Sequence, residues 1–574
     1  MNRDARDLLA AARGDRAADL LLRDARLLNV LSGEIERVDV AVADGTVVGV
    51  GEGYDASEVV ELGGRWLLPG FLDAHVHIES SLVGPGQFAR AVLPRGTTTV
   101  VTDPHEIANV HGLEGVRWML AASEAAPLSV LVMASSCVPA TDMGTAGAAL
   151  GAAELAELGR HPRVIGLAEV MNFPGVIGGA PDVLDKLARF ADPFRARPID
   201  GHAPGVTGRQ LAAYASAGPS SDHECTTPAE AAEKLRRGLF VFLREATNAR
   251  NLEALLPALT PANVRRTALC TDDRQPPDLL DEGGIDFMLR RVMAAGIEPL
   301  EAIRMATLNP AGYFGLRDRG AVAPGRRADL VVLDSDLPGL RVDRVWSGGR
   351  LVARGGSALP WAEETPTPPP PSMSVRLERD TFRIEARGAR ARVIGLVEDQ
   401  LVTRALLEEP TVRDGEVVAD PERDLLKIAV VERHRGSGRV GLGLVSGVGL
   451  RRGAVAGTVA HDHHNLITVG ADDPSMLTAA RAVARMGGGL AVADGEQVRT
   501  TLPLPVGGLM SLLPIEEVRT RLDRVVGAAR ALGSPLHDPF MAMSFLGLEV
   551  IPSLKITDRG LVDVDAFELV DLWA

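Results

Sequence analysis

The stretch PGFLDAHVHIESS, residues 69–81, places two histidines one residue apart after an apolar run that begins at Trp66. Residues i and i+2 of a β-strand lie on the same face, so His75 and His77 can point at one spot. Neutral imidazole is a common ligand of divalent transition metals. Because acidic and polar residues follow directly, we interpret the pair as half of a metal site rather than as two hydrogen-bonded core histidines.

The composition of the 574-residue chain is typical of a globular protein with more than one domain. Hydrophobic residues make up 46% of the chain, and the formal net charge of −15 argues against binding to nucleic acids. Three cysteines without a CxxC pair predict no disulfide framework, which favours a reducing compartment. We see neither a signal peptide nor a membrane-spanning run, so we expect a cytoplasmic protein that acts on a small substrate without a membrane partner.

Residues 67–317 alternate short apolar runs with helical stretches, a pattern typical of parallel sheets. Eight β/α units over this length match the size of a TIM-type (β/α)8 barrel, whose chemistry lies at the C-terminal ends of its strands. The predicted strands are 66–73, 97–102, 128–134, 164–168, 198–201, 219–222, 239–243 and 267–271. A helix is predicted over 301–316.

The remaining residues predict two further domains around this α/β core. Strand-like runs separated by Gly and Asp turns occupy 1–66 and return at 318–360, which predicts a small β-sandwich split by the barrel. A run of prolines indicates a stiff linker, which we assign to 361–373. Residues 374–574 mix strand and helix patterns and predict a separate C-terminal α+β domain, with strands at 426–431 and 466–469 and helices at 474–486 and 515–532.

Six of the eight predicted strands end in residue types that bind metals or exchange protons. A lone histidine or aspartate at a strand end is more often a capping residue. When six strands of one barrel end in such residues, the pattern predicts a metal-dependent site. The residues are His75 and His77, then Asp103, His105 and Glu106, then Glu169, then His202, then Asp222, His223 and Glu224, and finally Asp272 and Asp273.

Four histidines and two carboxylates exceed what one open metal site uses, which favours two ions. Nitrogen and oxygen ligands without thiolate suit manganese, iron or zinc. A coordinated water would become a hydroxide nucleophile near neutral pH, and Asp272 could accept its proton and pass it to a leaving group. The predicted ligands are His75, His77 and Asp272 for one ion, His202 and His223 for the other, and Glu169 as the bridge between them.

The HxH pair on the first strand, the histidines on the fifth and sixth and the aspartate on the eighth resemble the amidohydrolase superfamily. Within it, the chain is similar to the bacterial adenine deaminase family. The segments that carry this resemblance extend over nearly the whole chain: HVHIESS (75–81), DPHEIANV (103–110), MNFPGV (171–176), DGHAPG (200–205), SDHE (221–224), CTDDR (270–274) and HDHHN (461–465).

The resemblance implies hydrolytic deamination of adenine to hypoxanthine and ammonia, a reaction of purine salvage. It also implies two divalent ions, with Mn²⁺ or Fe²⁺ expected and Zn²⁺ as a further candidate. Many members of the superfamily have a lysine as the bridge on the fourth strand, whereas this chain has Glu169 there. A homo-oligomer, expected to be a dimer, follows from the resemblance alone.

Positions beside the predicted ligands supply candidates for the other roles. His105, Glu106 and Glu224 are candidates for the group that protonates the purine ring. Asp222 and Glu224 are expected to orient His223, because ligand histidines usually have a second partner. The predicted catalytic residues are Asp272, Glu169, His105 and Glu224, and the predicted substrate contacts are Glu79, Ser80, Glu106, Met171 and Asn172.

Three interpretations of the HDHH motif at 461–464 stay open: an additional metal site, a part of the substrate pocket above the barrel mouth, or a hydrogen-bonded surface turn. Two other functions also stay open. A cyclic-amide hydrolase similar to dihydroorotase or hydantoinase would be expected to have a lysine instead of Glu169. A metal-free scaffold without catalysis would not need ligands at each strand end. A nucleic-acid deaminase is disfavoured, because the His/Cys/Cys zinc pattern is absent.

Overall fold

The computed structural model describes residues 5–191, 197–362 and 365–574. The chain begins with helix α1, after which a sheet forms from strands with buried apolar positions. β1 pairs antiparallel with β2 and parallel with both β4 and β5. The bounds are α1 (Ala5–Arg13), β1 (Ala18–Leu28), β2 (Ile35–Ala43), β3 (Thr46–Val50), β4 (Ala56–Glu61) and β5 (Trp66–Pro69).

Gly70 separates this first sheet from the parallel strands that follow. An added Cβ at Gly70 would lie 2.2 Å from Thr98 Oγ1, so only glycine fits where the chain passes from one sheet to the other. The predicted single strand at 66–73 is therefore wrong. Its first part is β5, and the next strand begins at Phe71 and continues to Val76.

Eight short parallel strands, β6 to β13, form two sheets of five and three strands. A parallel bridge between Val76 and Asp272 joins the first strand to the last, and Ser220 N donates to Ile199 O (2.9 Å) between the two sheets. The result is a curled parallel sheet. Its strands are β6 (Phe71–Val76), β7 (Thr97–Thr102), β8 (Ser129–Ala134), β9 (Val164–Val170), β10 (Ile199–Gly201), β11 (Ser221–Asp222), β12 (Phe240–Arg244) and β13 (Thr267–Cys270).

Helices follow these strands, and six of them carry proline at the first or second position, where its missing N–H costs no hydrogen bond. The helix predicted over 301–316 is instead two short helices, broken at Ala306 and Thr307. The bounds are α2 (Pro85–Val92), α3 (His105–Ala122), α4 (Ala152–Leu158), α5 (Phe173–Gly178), α6 (Pro181–Ala188), α7 (Gly208–Ser216), α8 (Pro228–Arg236), α9 (Leu252–Leu255), α10 (Pro276–Asp281), α11 (Ile285–Ala294), α12 (Pro299–Met305) and α13 (Leu308–Tyr313).

Four strands after these helices return to the first sheet. β14 pairs antiparallel with β5 and with β15, so the two predicted strand-rich segments share one nine-stranded sheet. Leucines and valines of both segments form its core. The strands are β14 (Leu330–Leu333), β15 (Val342–Ser347), β16 (Arg350–Arg354) and β17 (Ser357–Ala358).

The rest of the chain is built around an eight-stranded sheet, with α14 packed on it. The two strands and two helices predicted in this part occur within one residue of their predicted bounds. The elements are β18 (Ile384–Glu385), β19 (Ala391–Leu396), β20 (Thr403–Glu408), β21 (Val412–Arg413), β22 (Glu416–Val417), β23 (Leu426–Val431), β24 (Val440–Ser446), β25 (Ala454–Gly457), β26 (Leu466–Gly470), α14 (Asp473–Arg485), β27 (Gly489–Asp494), β28 (Gln497–Pro503), α15 (Ile515–Ala531), α16 (Pro539–Ser544), β29 (Leu554–Thr557), β30 (Gly560–Asp563) and β31 (Glu568–Val570).

The C-terminal segment, residues 374–574, lies directly against the loop that follows β8. Asp558 accepts hydrogen bonds from Thr145 N and Thr145 Oγ1, both at 2.8 Å, and Asn465 donates to Thr145 O at 2.9 Å. Although the sequence predicts a separate domain there, these buried contacts join it to the parallel-strand region. None of the described helices is both long and apolar enough to cross a membrane.

Candidate metal centre

The two histidines after β6 converge as their spacing predicts. His75 Nε2 and His77 Nε2 lie 3.0 Å apart, and both side chains are buried. His77 Nδ1 lies 2.9 Å from Asp103 O, a contact that fixes the ring orientation when Nδ1 carries the proton. The free Nε2 atoms of both rings can then act as metal ligands.

Glu169, at the end of β9, lies between two pairs of histidines. Its Oε1 is 3.2 Å from His77 Nε2 and 3.5 Å from His75 Nε2. Its Oε2 lies 2.6 Å from His202 Nδ1 and 3.4 Å from His223 Nε2. One carboxylate therefore faces both pairs, which is the arrangement a bridging ligand needs.

Asp272 follows β13 and completes the first group. Its Oδ1 lies 3.2 Å from His77 Nε2 and 3.7 Å from His75 Nε2. The φ of Asp272 is 55°, a left-handed conformation that aspartate tolerates better than most residues. Backbone hydrogen bonds from Asp272 N to His75 O (3.0 Å) and from His77 N to Asp272 O (3.3 Å) hold it there.

The charges of the cluster suit a cation. Burial alone would raise the pKa of Glu169 and Asp272, but hydrogen bonds and charges from the surrounding histidines hold both pKa values well below the usual range. Among the described residues, the buried His202 Nε2 has no hydrogen-bond partner. Nitrogen and oxygen atoms lie within 4.8 Å of one another in three relevant groups: His75, His77 and Glu169; His75, His223 and Asp272; and Glu169, His202 and His223. This donor set fits Mn²⁺, Fe²⁺ or Zn²⁺.

Arg244, at the end of β12, contacts the centre and was missed by the sequence analysis. Its guanidinium binds both carboxylate oxygens of Glu224, with Nη2 3.1 Å from Oε2, and Nη1 donates to Asp272 Oδ2 at 3.0 Å. Burial would lower the pKa of Arg244, but these carboxylates raise it. Its position at a strand end could have identified Arg244 as a candidate, since this residue directly follows the predicted strand at 239–243.

The neighbours of His223 have different roles. Glu224 Oε1 lies 3.4 Å from His223 Nε2, so this carboxylate adjoins the candidate ligand. Asp222 instead accepts from Ala203 N (2.8 Å) and Lys234 Nζ (3.0 Å), which ties the ends of two strands together. Burial raises the pKa of Asp222, but Lys234 and His223 bring it down to about 2.

His105 lies on the other side of Glu169. His105 Nδ1 is 3.0 Å from Asp103 Oδ2 and 3.5 Å from Glu169 Oε1. Burial disfavours the charged imidazole, but Asp103 and Asp462 raise its pKa to about 10. His105 therefore adjoins the candidate metal centre on one edge and the C-terminal segment on the other.

Glu79, Ser80 and Glu106 form a buried group next to the candidate metal centre. Ser80 Oγ lies 2.9 Å from Glu106 Oε1 and 2.5 Å from Asp273 Oδ1. A hydroxyl has one hydrogen to donate, so a proton on one carboxyl is needed for both contacts to be hydrogen bonds. Burial and the neighbouring Glu106 raise the pKa of Glu79 to about 8, consistent with shared protons in this group.

The structure separates Met171 from Asn172. Met171 lines the cavity at the candidate metal centre. Asn172 caps α5 by accepting from Gly175 N at 2.8 Å, and it lines a neighbouring cavity with Cys137 and Lys186. Their predicted roles as substrate contacts stay predictions, and the geometry favours Met171.

The HDHH motif lies inside the protein, so its interpretation as a surface turn is wrong. His461 and Asp462 line the cavity, whereas His464 N donates to Ala460 O at 2.7 Å and closes a turn. The space within this cavity, together with the open solvent at its mouth, is about 270 Å³. Its lining consists of His77, His105, Glu169, Met171, His202, His223, Glu224, Asp272, Asp273, Leu401, His461, Asp462, Phe545 and Leu548.

Comparison with known proteins finds relatives of this chain along nearly its whole length. Residues 66–352 match the amidohydrolase family, and residues 400–568 match the adenine deaminase C-terminal domain. An adenine deaminase of Desulfatibacillum aliphaticivorans is 51% identical over 571 residues, with 99% of each chain covered. Adenine deaminases of Methanothrix thermoacetophila and Cereibacter sphaeroides are 49% identical (99% of each chain) and 48% identical (99% of this chain, 100% of the relative). The chain belongs to the amidohydrolase family and, within it, to the adenine deaminases.

Proposed function

We propose that this chain is a hydrolase that converts adenine and water into hypoxanthine and ammonia, a reaction of purine salvage. Adenine deaminases that are about 50% identical to this chain over nearly its whole length support this function. The structural observation that supports this function most directly is the position of the Glu169 carboxylate between two pairs of buried histidines. A cyclic-amide hydrolase and an inactive scaffold are not favoured, because the relatives that align with nearly the whole chain are adenine deaminases.

We infer that two divalent ions bind at the strand ends, Mn²⁺ or Fe²⁺ by preference and Zn²⁺ as an alternative. When bound, such ions lower the pKa of water so that hydroxide is available near neutral pH. The proposed ligands are His75, His77 and Asp272 for one ion, His202 and His223 for the other, and Glu169 for both. Convergence of their nitrogen and oxygen atoms supports this assignment.

Asp272 is the proposed proton carrier. The C6–oxygen bond forms and the C6–amine bond breaks, so a proton must move from the attacking water to the departing amine. Asp272 Oδ1 faces the centre while Oδ2 is held by Arg244, which orients the carboxylate. A positioned carboxylate of this kind supports general acid–base catalysis.

Of the three candidates for protonating the purine ring, His105 and Glu224 are better supported than Glu106, because only these two line the cavity. Glu224 is fixed by Arg244, whereas His105 is held by Asp103. We keep Glu79, Ser80, Glu106, Met171 and Asn172 as candidate substrate contacts, with Met171 best supported because it lines the cavity.

We also infer that the two parallel sheets form one complete (β/α)8 barrel, between the predicted sandwich segments 1–66 and 318–360. The bridge between Val76 and Asp272 supports this closure. The linker at 361–373, the C-terminal domain at 374–574, a homodimer and a cytoplasmic location stay predictions.

The test is a turnover assay on metal-analysed protein. We expect adenine to yield equal amounts of hypoxanthine and ammonia, with no turnover of a hydantoin or a dihydropyrimidine run in parallel. Removing metal with a chelator should abolish turnover, and about two equivalents of Mn²⁺ should restore it. Metal-loaded protein that leaves adenine unchanged would contradict the proposal.

A further inference from the structure

The cavity contains a carboxylate that is not among the proposed metal ligands. Asp462 is 2% exposed and lines the cavity from the C-terminal segment. Within residues 5–191, 197–362 and 365–574, neither oxygen of Asp462 accepts a hydrogen bond. The nearest basic atoms, His461 Nδ1 at 3.6 Å and His105 Nε2 at 3.7 Å, are within ion-pair range of Asp462 but too distant for a hydrogen bond. Because a buried carboxylate without a donor is costly, the geometry points to a donor on a ligand.

The position of Asp462 relative to the candidate metal centre fits a two-ring substrate. His105 lies between them, with Nδ1 3.5 Å from Glu169 Oε1 and Nε2 3.7 Å from Asp462 Oδ1. Asp462 and Glu169 are thus separated by one imidazole ring and by the contacts on its two edges. A purine whose C6 lies at the metal centre extends its five-membered ring away from it, and that ring carries an N–H.

The wall beside Asp462 is flat and partly apolar. The rings of His461 and Phe545 stack with centroids 4.6 Å apart and an interplanar angle of 14°. His461 N donates to Ser544 O at 3.1 Å, which fixes this wall to the end of α16. Such an aromatic surface suits a planar heterocyclic base.

We propose that Asp462 accepts the N–H of the five-membered ring and thereby selects free purine bases over purines substituted at N7 or N9. Adenine has one such N–H, on N9 or N7 according to the tautomer. Alkylation of either nitrogen removes the donor, so a methylated base or a nucleoside leaves the carboxylate unpaired. A site built to bind an N–H rejects analogues that lack it far more strongly than an apolar pocket rejects an extra methyl group. This inference rests on adenine being the substrate.

The test compares adenine, 7-methyladenine and 9-methyladenine with the metal-loaded wild type and with Asp462→Asn. We expect the wild type to prefer adenine by about 10,000-fold in kcat/KM over both methylated bases. Asp462→Asn should lower kcat/KM for adenine by about 10- to 100-fold, mainly through KM, because a charge-assisted hydrogen bond is lost. The methylated bases should change by less than about threefold, so the preference should fall.

Asp558→Asn is the matched control, because Asp558 is a buried carboxylate of the same segment whose oxygens are bound by Thr145. It should keep the preference for adenine. Three outcomes overturn the inference: a wild type that accepts either methylated base within about tenfold of adenine, an equal loss for all three bases in Asp462→Asn, or the loss of about one metal equivalent in that variant. The last would assign Asp462 to a cation held with His105 and His461. A wild type inactive on adenine would instead contradict the proposed function itself.

Discussion

The cavity is built from two regions that differ in how tightly their polar groups are paired. At the strand ends, Glu169 and Asp272 each contact several nitrogens within 3.7 Å. In the C-terminal segment, Asp462 has no described hydrogen-bond donor and faces the same cavity. The first region has the convergent donors that metal chemistry needs. The second offers a charged acceptor, which suits recognition of a ligand.

This difference predicts different kinetic consequences for the two regions. Changes at the strand ends should lower kcat, because they act on the groups proposed to move protons and hold metal. Changes in the C-terminal wall should raise KM, because they act on binding. Variants of Asp272, Arg244 and Phe545 test that division.

The largest effect is expected for Asp272→Asn, which keeps the shape of the side chain but removes the proton acceptor. We expect kcat to fall by about 100- to 10,000-fold. Metal content measured on the same sample separates loss of a ligand from loss of proton transfer. Asp523→Asn, in an exposed ion pair, is the control and should retain full activity. A variant of Asp272 with near-normal kcat would contradict the assigned role.

Replacing Arg244 tests whether the strand-end carboxylates depend on this buried cation. Arg244→Met leaves Glu224 and Asp272 without their shared partner, so the free energy of unfolding should fall by about 3–5 kcal/mol. We expect kcat to fall with it, because Asp272 loses its orientation. Urea titration and initial rates measure the two effects. Arg519→Met, which breaks exposed ion pairs, should cost less than about 1 kcal/mol. Equal costs for the two variants would show that the buried network is unimportant.

Phe545→Leu should affect binding more than chemistry. It removes the ring stacked on His461 but keeps an apolar side chain of similar size. We expect KM for adenine to rise by about threefold to tenfold, with kcat nearly unchanged, since an aromatic pair contributes about 0.5–1.5 kcal/mol. Leu546→Met, a buried neighbour outside the cavity lining, is the control. A fall in kcat without a change in KM would place the wall in the catalytic step instead.

An effect on stability alone is expected at Lys555, which donates to Leu401 O (2.6 Å) and Phe545 O (2.9 Å) behind the wall. Burial lowers the pKa of Lys555 from 10.5 to about 7, and Glu549 only partly opposes this. Between these values the unfolded chain binds the proton and the folded chain does not. The contribution of Lys555 to the free energy of unfolding therefore rises with pH, by about 1.4 kcal/mol per pH unit.

Lys555→Met should remove that dependence. Urea titrations at several values between pH 7.5 and 9.5 should show a flatter pH profile for the variant than for the wild type. Below pH 6.5 both states of the wild type bind the proton, so the two profiles should run parallel there. Parallel profiles across the whole range would contradict the lowered pKa.

Much of the strand-end region could be predicted, because its signals are local. The i, i+2 spacing of His75 and His77 requires only a strand, and alternating strands and helices predict which ends meet. The first strand was predicted wrongly because Trp66 to Leu72 is apolar without interruption. Both sheets bury their strands there, so hydropathy could not reveal the break at Gly70.

Other parts of the site depend on contacts between distant residues. Arg244 followed a predicted strand, but arginine is not a metal ligand and its two carboxylate partners are visible only in the fold. The HDHH motif was recognised without its place being known. Packing of residues 141–145 against the C-terminal segment brings Asp462 to the cavity.

The sequence by itself determined the strand order of metal-binding residue types, the family and the candidate ligands. These follow from short-range periodicity and from motifs whose chemistry is set by residue type. The tertiary structure decided which carboxylates accept hydrogen bonds and which one faces the cavity without a hydrogen-bond donor. A hydrogen bond depends on distances of a few ångströms between residues that are far apart in the chain. The residues next to Asp462 in the sequence do not determine those distances.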